Sequence, residues 1–293
     1  MDEQKGQART WLLTMVAMTA FATNSVLCRM ALGANAVDAA SFTAIRLASG
    51  AVTLAVLARF LRDGHILGAG SWLSGFQLFL YAVAFSLAYL SLGAGTGSLI
   101  LFGSVQATMI ISGLRSGERP HVLQWAGLAI AFGGLLYLVF PGITAPSHGG
   151  SLLMAVAGVA WGLYSLRGRG AKDPVCQTTG NFVKAVPFSL VAWAAGVQFV
   201  HAEPRGILLA ILSGSLASGI GYVIWYTALR GLSSTRAATV QLSVPVLAAF
   251  GGVIFLAEVV TLRLVIASIL ILGGVALTVI AKELRTANAA GKA

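Results

Sequence analysis

Apolar residues run along this chain in long unbroken stretches, and short polar breaks between them carry most of the charge. A helix needs about 20 residues to cross a hydrocarbon core of about 30 Å, and stretches of that length follow one another from residue 11 to residue 281. The pattern predicts ten spans: 11 to 30, 38 to 60, 70 to 91, 96 to 114, 121 to 140, 150 to 167, 177 to 199, 206 to 229, 234 to 256 and 261 to 281. The runs are continuous and do not alternate with a period of two, so they read as helices and not as barrel strands. The expected fold class is therefore an all-α integral membrane protein, with residues 1 to 10 and 282 to 293 as short cytoplasmic tails.

Composition agrees. The chain is 57% hydrophobic and 10% charged, with a mean hydropathy of +0.87, where a soluble domain has about 25% charged residues. A water-soluble fold is excluded. The net charge of +10 invites a nucleic-acid partner until the charges are placed. With the N-terminus in the cytoplasm, 14 lysines and arginines fall on that side and only Arg29, Arg205 and Arg263 on the other, with Arg46 and Lys184 inside spans. This positive-inside bias puts both termini in the cytoplasm and accounts for the charge without nucleic acid. The expected location is the cell membrane, plasma or inner, crossed many times. Cys28 and Cys176 fall at opposite membrane faces, which rules out a disulfide between them. The opening MDEQKGQART lacks the features of a cleaved signal peptide, so the first span is expected to remain.

The chain repeats itself. A shift of 140 residues lays Ala20 to Ser25 on Ala160 to Ser165, Glu118 on Glu258, and Gly133-Gly134 on Gly273-Gly274. A shift of 137 lays Phe85 and Tyr89 on Tyr222 and Tyr226. Two units follow, 11 to 140 and 150 to 281, and five spans in each make the second run upside down relative to the first. Inverted repeats of this kind enclose a substrate site near the midplane in transporters that work by alternating access.

The stretch from Pro245 to Glu258, followed by a helix carrying Gly273-Gly274, resembles the end of an EamA repeat of the drug/metabolite transporter superfamily, and residues through Glu118 to Gly134 form its first-half counterpart. Pro245 departs from the symmetry, since Val105-Gln106 stands in the first half. The resemblance implies a ten-helix metabolite exporter, similar to the exporters of aromatic and other amino acids, and efflux as the direction.

Ionisable groups inside a membrane are costly and point to function. Arg46 and Lys184 are the two here, each about two turns into its span; either attracts a substrate carboxylate, or snorkels and packs. None of the nine acids lies in midspan, and the four histidines fall in loops. Neutral, zwitterionic or anionic substrates are expected, without an evident proton carrier. Tyr81, Phe85 and Tyr89 share one face of the third span, and Tyr222, Trp225 and Tyr226 one face of the eighth. Such stripes line an amphipathic cavity or pack helices. Trp161 and Tyr164 match Phe21 and Asn24 across the repeat and are candidates for the cavity. Gln106 and Gln241 lie in midspan, and Pro245 frees the carbonyl of Gln241 for a substrate ammonium, for water or for a neighbouring helix. Pro187 is placed to bend the seventh span. The 35 glycines, Gly158-x-x-x-Gly162 among them, are read first as packing sites and second as hinges.

An enzyme would need paired acids, a metal cluster or a nucleophile with its base inside the membrane, and the placement of acids and histidines denies all three. No cofactor is expected. A passive channel and a carrier of phosphorylated or other small anionic metabolites stay open as alternatives. A phosphate ligand calls for several convergent cations, so amino acids fit better. The expected partners are a small-molecule substrate and the lipid bilayer, with one chain sufficient to enclose the site.

Overall fold

The computed structural model describes residues 2–61, 69–115, 122–140, 145–168, 171–232, 237 and 240–290. Glu118, His121 and the expected start of the ninth span at 234 lie outside the described residues. The described helices are α1 (Asp2–Gly33), α2 (Ala39–Leu61), α3 (Trp72–Ala88), α4 (Ala94–Arg115), α5 (Val122–Val139), α6 (His148–Gly168), α7 (Pro174–Ala195), α8 (Pro204–Leu229), α9 (Ser243–Leu256) and α10 (Leu262–Ala290).

Their lengths follow from lipid and their ends from local chemistry. Among the described residues α1, α2, α4, α5, α6 and α8 are long and apolar enough to cross a membrane, and Trp72–Ala88, Ser243–Leu256 and Leu262–Thr278 are shorter apolar helices. The helix α7 is more polar because Thr178, Thr179 and Asn181 lie on it, and all three are buried inside the protein, where such groups cost least. Asp173 caps its start, accepting from the N–H groups of Val175 and Cys176, with Pro174 in the first turn, where no donor is needed. The helices α1 and α10 continue through the tails expected at 2 to 10 and 282 to 290, and α7 stays continuous through Pro187. The ninth span is broken: Leu242 is a turn and α9 begins at Ser243. Pro245 explains this, since its ring and missing donor fit a first turn and not a helix interior.

The main packing pairs are α5 with α10, α3 with α6, α1 with α8, α2 with α7, α4 with α6, α4 with α9, α1 with α9, α2 with α8 and α3 with α7. Glycine sets the closest of them. A Cβ on Gly127 would stand 2.5 Å from the carbonyl of Gly274, and one on Gly134 would stand 2.6 Å from Leu270 Cβ, so α5 and α10 meet backbone to backbone. Gly158 lies against the carbonyl of Leu101 and Gly162 against Thr108, both on α4. The repeated Gly-Gly pairs divide, for Gly134 and Gly274 pack tightly while Gly133 and Gly273 face open space. Outward-facing large apolar residues such as Phe132, Phe250, Ile254 and Ile269 are exposed, as expected of a surface bathed in lipid. Cys28 and Cys176 are not joined in a disulfide.

Two polar ties hold one end of the bundle. Residues 37 and 202 form an antiparallel bridge between the α1–α2 and α7–α8 loops. Asp38, just before α2, accepts from the backbone N–H groups of Ser41 and His201. Burial pushes its carboxyl up, but these hydrogen bonds outweigh it and hold the group below the usual carboxylate range. Nearby, Glu258 accepts twice from the N–H of Ala94 at the start of α4 (3.0 and 2.8 Å) and lies 3.5 Å from Arg29 Nε.

Candidate functional site

Arg46 lies two turns into α2 and is 1% exposed. Neighbouring groups therefore replace its water. Its Nε donates to Ser218 Oγ (3.1 Å), and its Nη2 donates to the hydroxyls of Tyr81 (3.1 Å) and Tyr222 (3.3 Å). The guanidinium carbon stands 5.1 Å from the ring centres of both Tyr81 and Phe85, a distance at which the ring faces attract the charge. Nη1 has no hydrogen-bond partner among the described residues. A guanidinium presents five donors in a fixed fork, so one arm of this one is left ready for an acceptor.

The backbone that makes this possible is irregular. Ser213–Ile220 of α8 is wound as a π-helix, a departure that recurs at functional sites. Gly214 lets it approach α2, since a Cβ there would stand 2.1 Å from the carbonyl of Arg46. The winding turns Ser213 and Ser218 inward. Both donate to Asn24 Oδ1 (2.6 and 3.5 Å), and Asn24 Nδ2 in turn donates to the Tyr81 hydroxyl (3.3 Å). Arg46, Asn24, Tyr81, Ser218 and Tyr222 thus form one buried network drawn from α1, α2, α3 and α8.

Rings close around it. Trp161 of α6 packs on Tyr222 (4.6 Å between centres), Tyr81 (5.1 Å) and Phe21 (5.9 Å). Phe85 lies 5.3 Å from Tyr81 and 4.7 Å from Tyr89. Between Phe21, Asn24, Tyr81, Phe85, Trp161 and Tyr222 the space amounts to about 10 Å³, room for about one water. The site is closed around itself in this state.

Of the residues singled out in the sequence, Asn24, Arg46, Tyr81, Phe85, Trp161 and Tyr222 come together here. The others do not line this cavity, although Tyr89 packs on Phe85 and Tyr164 on Trp161 (5.5 Å between centres). Tyr89 sits toward the Arg29 end, its hydroxyl 3.4 Å from the Ala94 carbonyl, with Arg29 Nη1 on the Tyr89 carbonyl (3.0 Å). Tyr164 and Tyr226 pack on each other at 6.5 Å, and Tyr226 lines a separate cavity of about 170 Å³ with Gly168, Pro174 and Arg230. Lys184 does not join Arg46: its Nζ donates to the carbonyls of Ala69 and Gly70 before α3, which satisfies the ammonium where the chain leaves the bundle. Gln241 donates to the Ala237 carbonyl in its own segment (3.2 Å), and Gln106 is buried on α4. Sequence reasoning passed over Ser213 and Ser218. The signal was the run Ser-Gly-Ser-Leu-Ala-Ser-Gly at 213 to 219, polar and small within an apolar span.

Residues 148–280, from α6 into α10, match the model of the EamA-like transporter family. The chain is 50% identical over 269 residues to an uncharacterised protein of Pseudomonas aeruginosa, covering 92% of this chain and 94% of that one. It belongs to the EamA-like transporter family. As a member of that family, within the drug/metabolite transporter superfamily, it is a multi-pass transporter of the cell membrane and not an enzyme, with a small molecule as its substrate and lipid around it. A further relative, the probable amino-acid metabolite efflux pump of Escherichia coli, is 25% identical over 251 residues, 77% of this chain and 80% of that one. A crystal structure at 20% identity superposes with a TM-score of 0.66 over 92% of this chain and 97% of the other, which shows a shared fold.

Proposed function

We propose that this EamA-like protein is a carrier that exports amino acids, apolar and aromatic ones favoured, by alternating access through the site around Arg46. The observation that carries the reading is the buried guanidinium with one unmet arm inside a ring of aromatic side chains. A carboxylate about 4 Å away is worth roughly 4 kcal/mol at an effective dielectric of 20, against about 1 kcal/mol in water. Burial thus makes Arg46 the strongest anion attractor along the path, while Trp161, Phe21 and Phe85 offer apolar faces to a side chain. The efflux-pump relative supports amino acids as the substrate class and export as the direction.

Inverted repeats at 11 to 140 and 150 to 281 are part of the reading, and the packing supports them. Exchanging α1 through α5 with α6 through α10 maps α3–α6 onto α8–α1, α4–α6 onto α9–α1, and α3–α7 onto α8–α2, and it maps α2–α7 and α5–α10 onto themselves. We take the Arg29 end as outward-facing and the Arg230 end as cytoplasmic, with one chain as the working unit. The closed cavity is then an occluded stage, and rocking of the halves opens it to either side.

The test is uptake of labelled phenylalanine, then methionine and threonine, into proteoliposomes, with and without a pH gradient. The expected result is saturable uptake, accelerated by unlabelled amino acid on the far side. In Arg46→Ala it should fall at least about tenfold, as loss of a charge-assisted pair predicts, while thermal unfolding shows the variant folded. Uptake no greater than that of empty liposomes, or linear without saturation, overturns the carrier.

A further inference from the structure

We propose that the Arg46 site selects by net charge: it takes an aromatic monocarboxylate, with one negative charge and no ammonium group, in preference to the zwitterionic amino acid of the same skeleton. This rests on the carboxylate-binding reading of Arg46 and narrows it.

The argument is one of charge balance. Arg46 carries a full positive charge into the closed centre of the bundle, and each group found around it is uncharged. Ser218, Tyr81 and Tyr222 offer hydroxyls, and Tyr81 and Phe85 offer ring faces. Among the described residues no carboxylate pairs with it, the one ion pair being Arg29 with Glu258, so hydroxyl dipoles and ring faces support the guanidinium. In a low-dielectric site a buried ion without a counter-ion is the costly arrangement. A monocarboxylate received by Nη1 brings the local charge to zero. A zwitterion brings a carboxylate and an ammonium together, and the site keeps its net charge of one.

The acceptors point the same way. An ammonium has three donors to satisfy. Asn24 Oδ1 already accepts from Ser213 and Ser218, and the Tyr81 and Tyr222 oxygens already accept from Arg46. Beyond these, Phe21, Phe85, Leu101, Phe102 and Trp161 line the cavity with rings and aliphatic groups, and Ser25 adds a single hydroxyl. These suit the arene of the ligand and leave an ammonium short of acceptors, at the desolvation cost of an unmet buried charge.

Three matched probes separate the terms: 3-phenylpropanoate, phenylalanine and phenylalaninamide, titrated at pH 7 into the detergent-purified full chain and followed by calorimetry. The expected order is 3-phenylpropanoate at least about tenfold tighter than phenylalanine, a difference of about 1.4 kcal/mol, and no binding of the cationic amide. Arg46→Gln should erase the preference, and Arg46→Lys, which keeps the charge, should preserve its direction. The wild-type series decides the matter even if neither variant folds. In the transport arm, labelled phenylpyruvate, too strong an acid to cross lipid readily, should show counterflow that 3-phenylpropanoate inhibits. Phenylalanine binding as tightly as 3-phenylpropanoate, or more tightly, overturns charge selection and leaves the amino-acid carrier standing. No binding and no counterflow with any carboxylate overturns both.

Discussion

Tyr81 accepts hydrogen bonds from Asn24 and Arg46 through a single oxygen, so removing that oxygen leaves two buried donors without it. Tyr81→Phe keeps the ring and its contact with Trp161, and the predicted loss is about 1–3 kcal/mol of stability, read as a lower unfolding temperature in detergent. Ser213→Ala removes one donor to Asn24 and should cost about 1 kcal/mol. At this scale the sequence was informative wherever a residue breaks a rule of its surroundings. A charge in midspan marks Arg46, and rings at helical spacing mark Tyr81, Phe85 and Tyr222. Two kinds of residue escaped. Ser213 and Ser218 face inward because π-winding changes the angular phase of α8, which a period of 3.6 residues cannot show. Lys184 breaks the same rule as Arg46, but it is satisfied by the carbonyls of Ala69 and Gly70, and no pattern in the sequence joins those positions to it.

Among elements, α5 and α10 hold each other through glycine while only 17% of the residues of α5 are buried. Gly274→Leu forces a side chain into the backbone of α5 and should cost about 1–3 kcal/mol by overpacking. Gly273→Leu, one position away and facing open space, should leave the unfolding temperature unchanged, and equal effects would refute this packing. The Asp38 tie makes a pH prediction. Its carboxyl is held below the usual range in the folded protein, so its contribution is complete above the ordinary carboxylate pKa and is lost as pH falls through the lowered folded value. Asp38→Asn should flatten that acid limb of the stability profile and leave neutral pH less stable than wild type. Helix positions were legible to within a few residues because lipid leaves no alternative to satisfied backbone. The break at Leu242 and the helical run of α1 through its polar N-terminal stretch were not, since neither depends on hydrophobicity.

For the whole molecule, Glu258 and Arg29 tie the segment after α9 to α1, and Glu258 also caps α4. Both side chains are partly exposed, at 26% and 22%, so the ion pair alone is worth about 1 kcal/mol or less. Under the proposed alternating access, Glu258→Gln should therefore shift the balance between open and closed forms a few-fold without unfolding the protein. With Cys28 and Cys176 replaced by alanine, a cysteine at Phe85 should react faster with an impermeant maleimide from the Arg29 side in Glu258→Gln; an unchanged rate would show that the tie does not close that end. The packing pairs could not be read from the chain beforehand, because apolar faces in lipid specify burial without naming a neighbour. The closed cavity has one more consequence. Its space of about 10 Å³ admits about one water, whereas an opened site fills with several, at about 30 Å³ each. Under the proposed alternating access hydration is a stoichiometric part of each turnover, and a polymer too large to enter should lower the logarithm of the exchange rate in proportion to osmotic pressure, the slope counting the waters taken up.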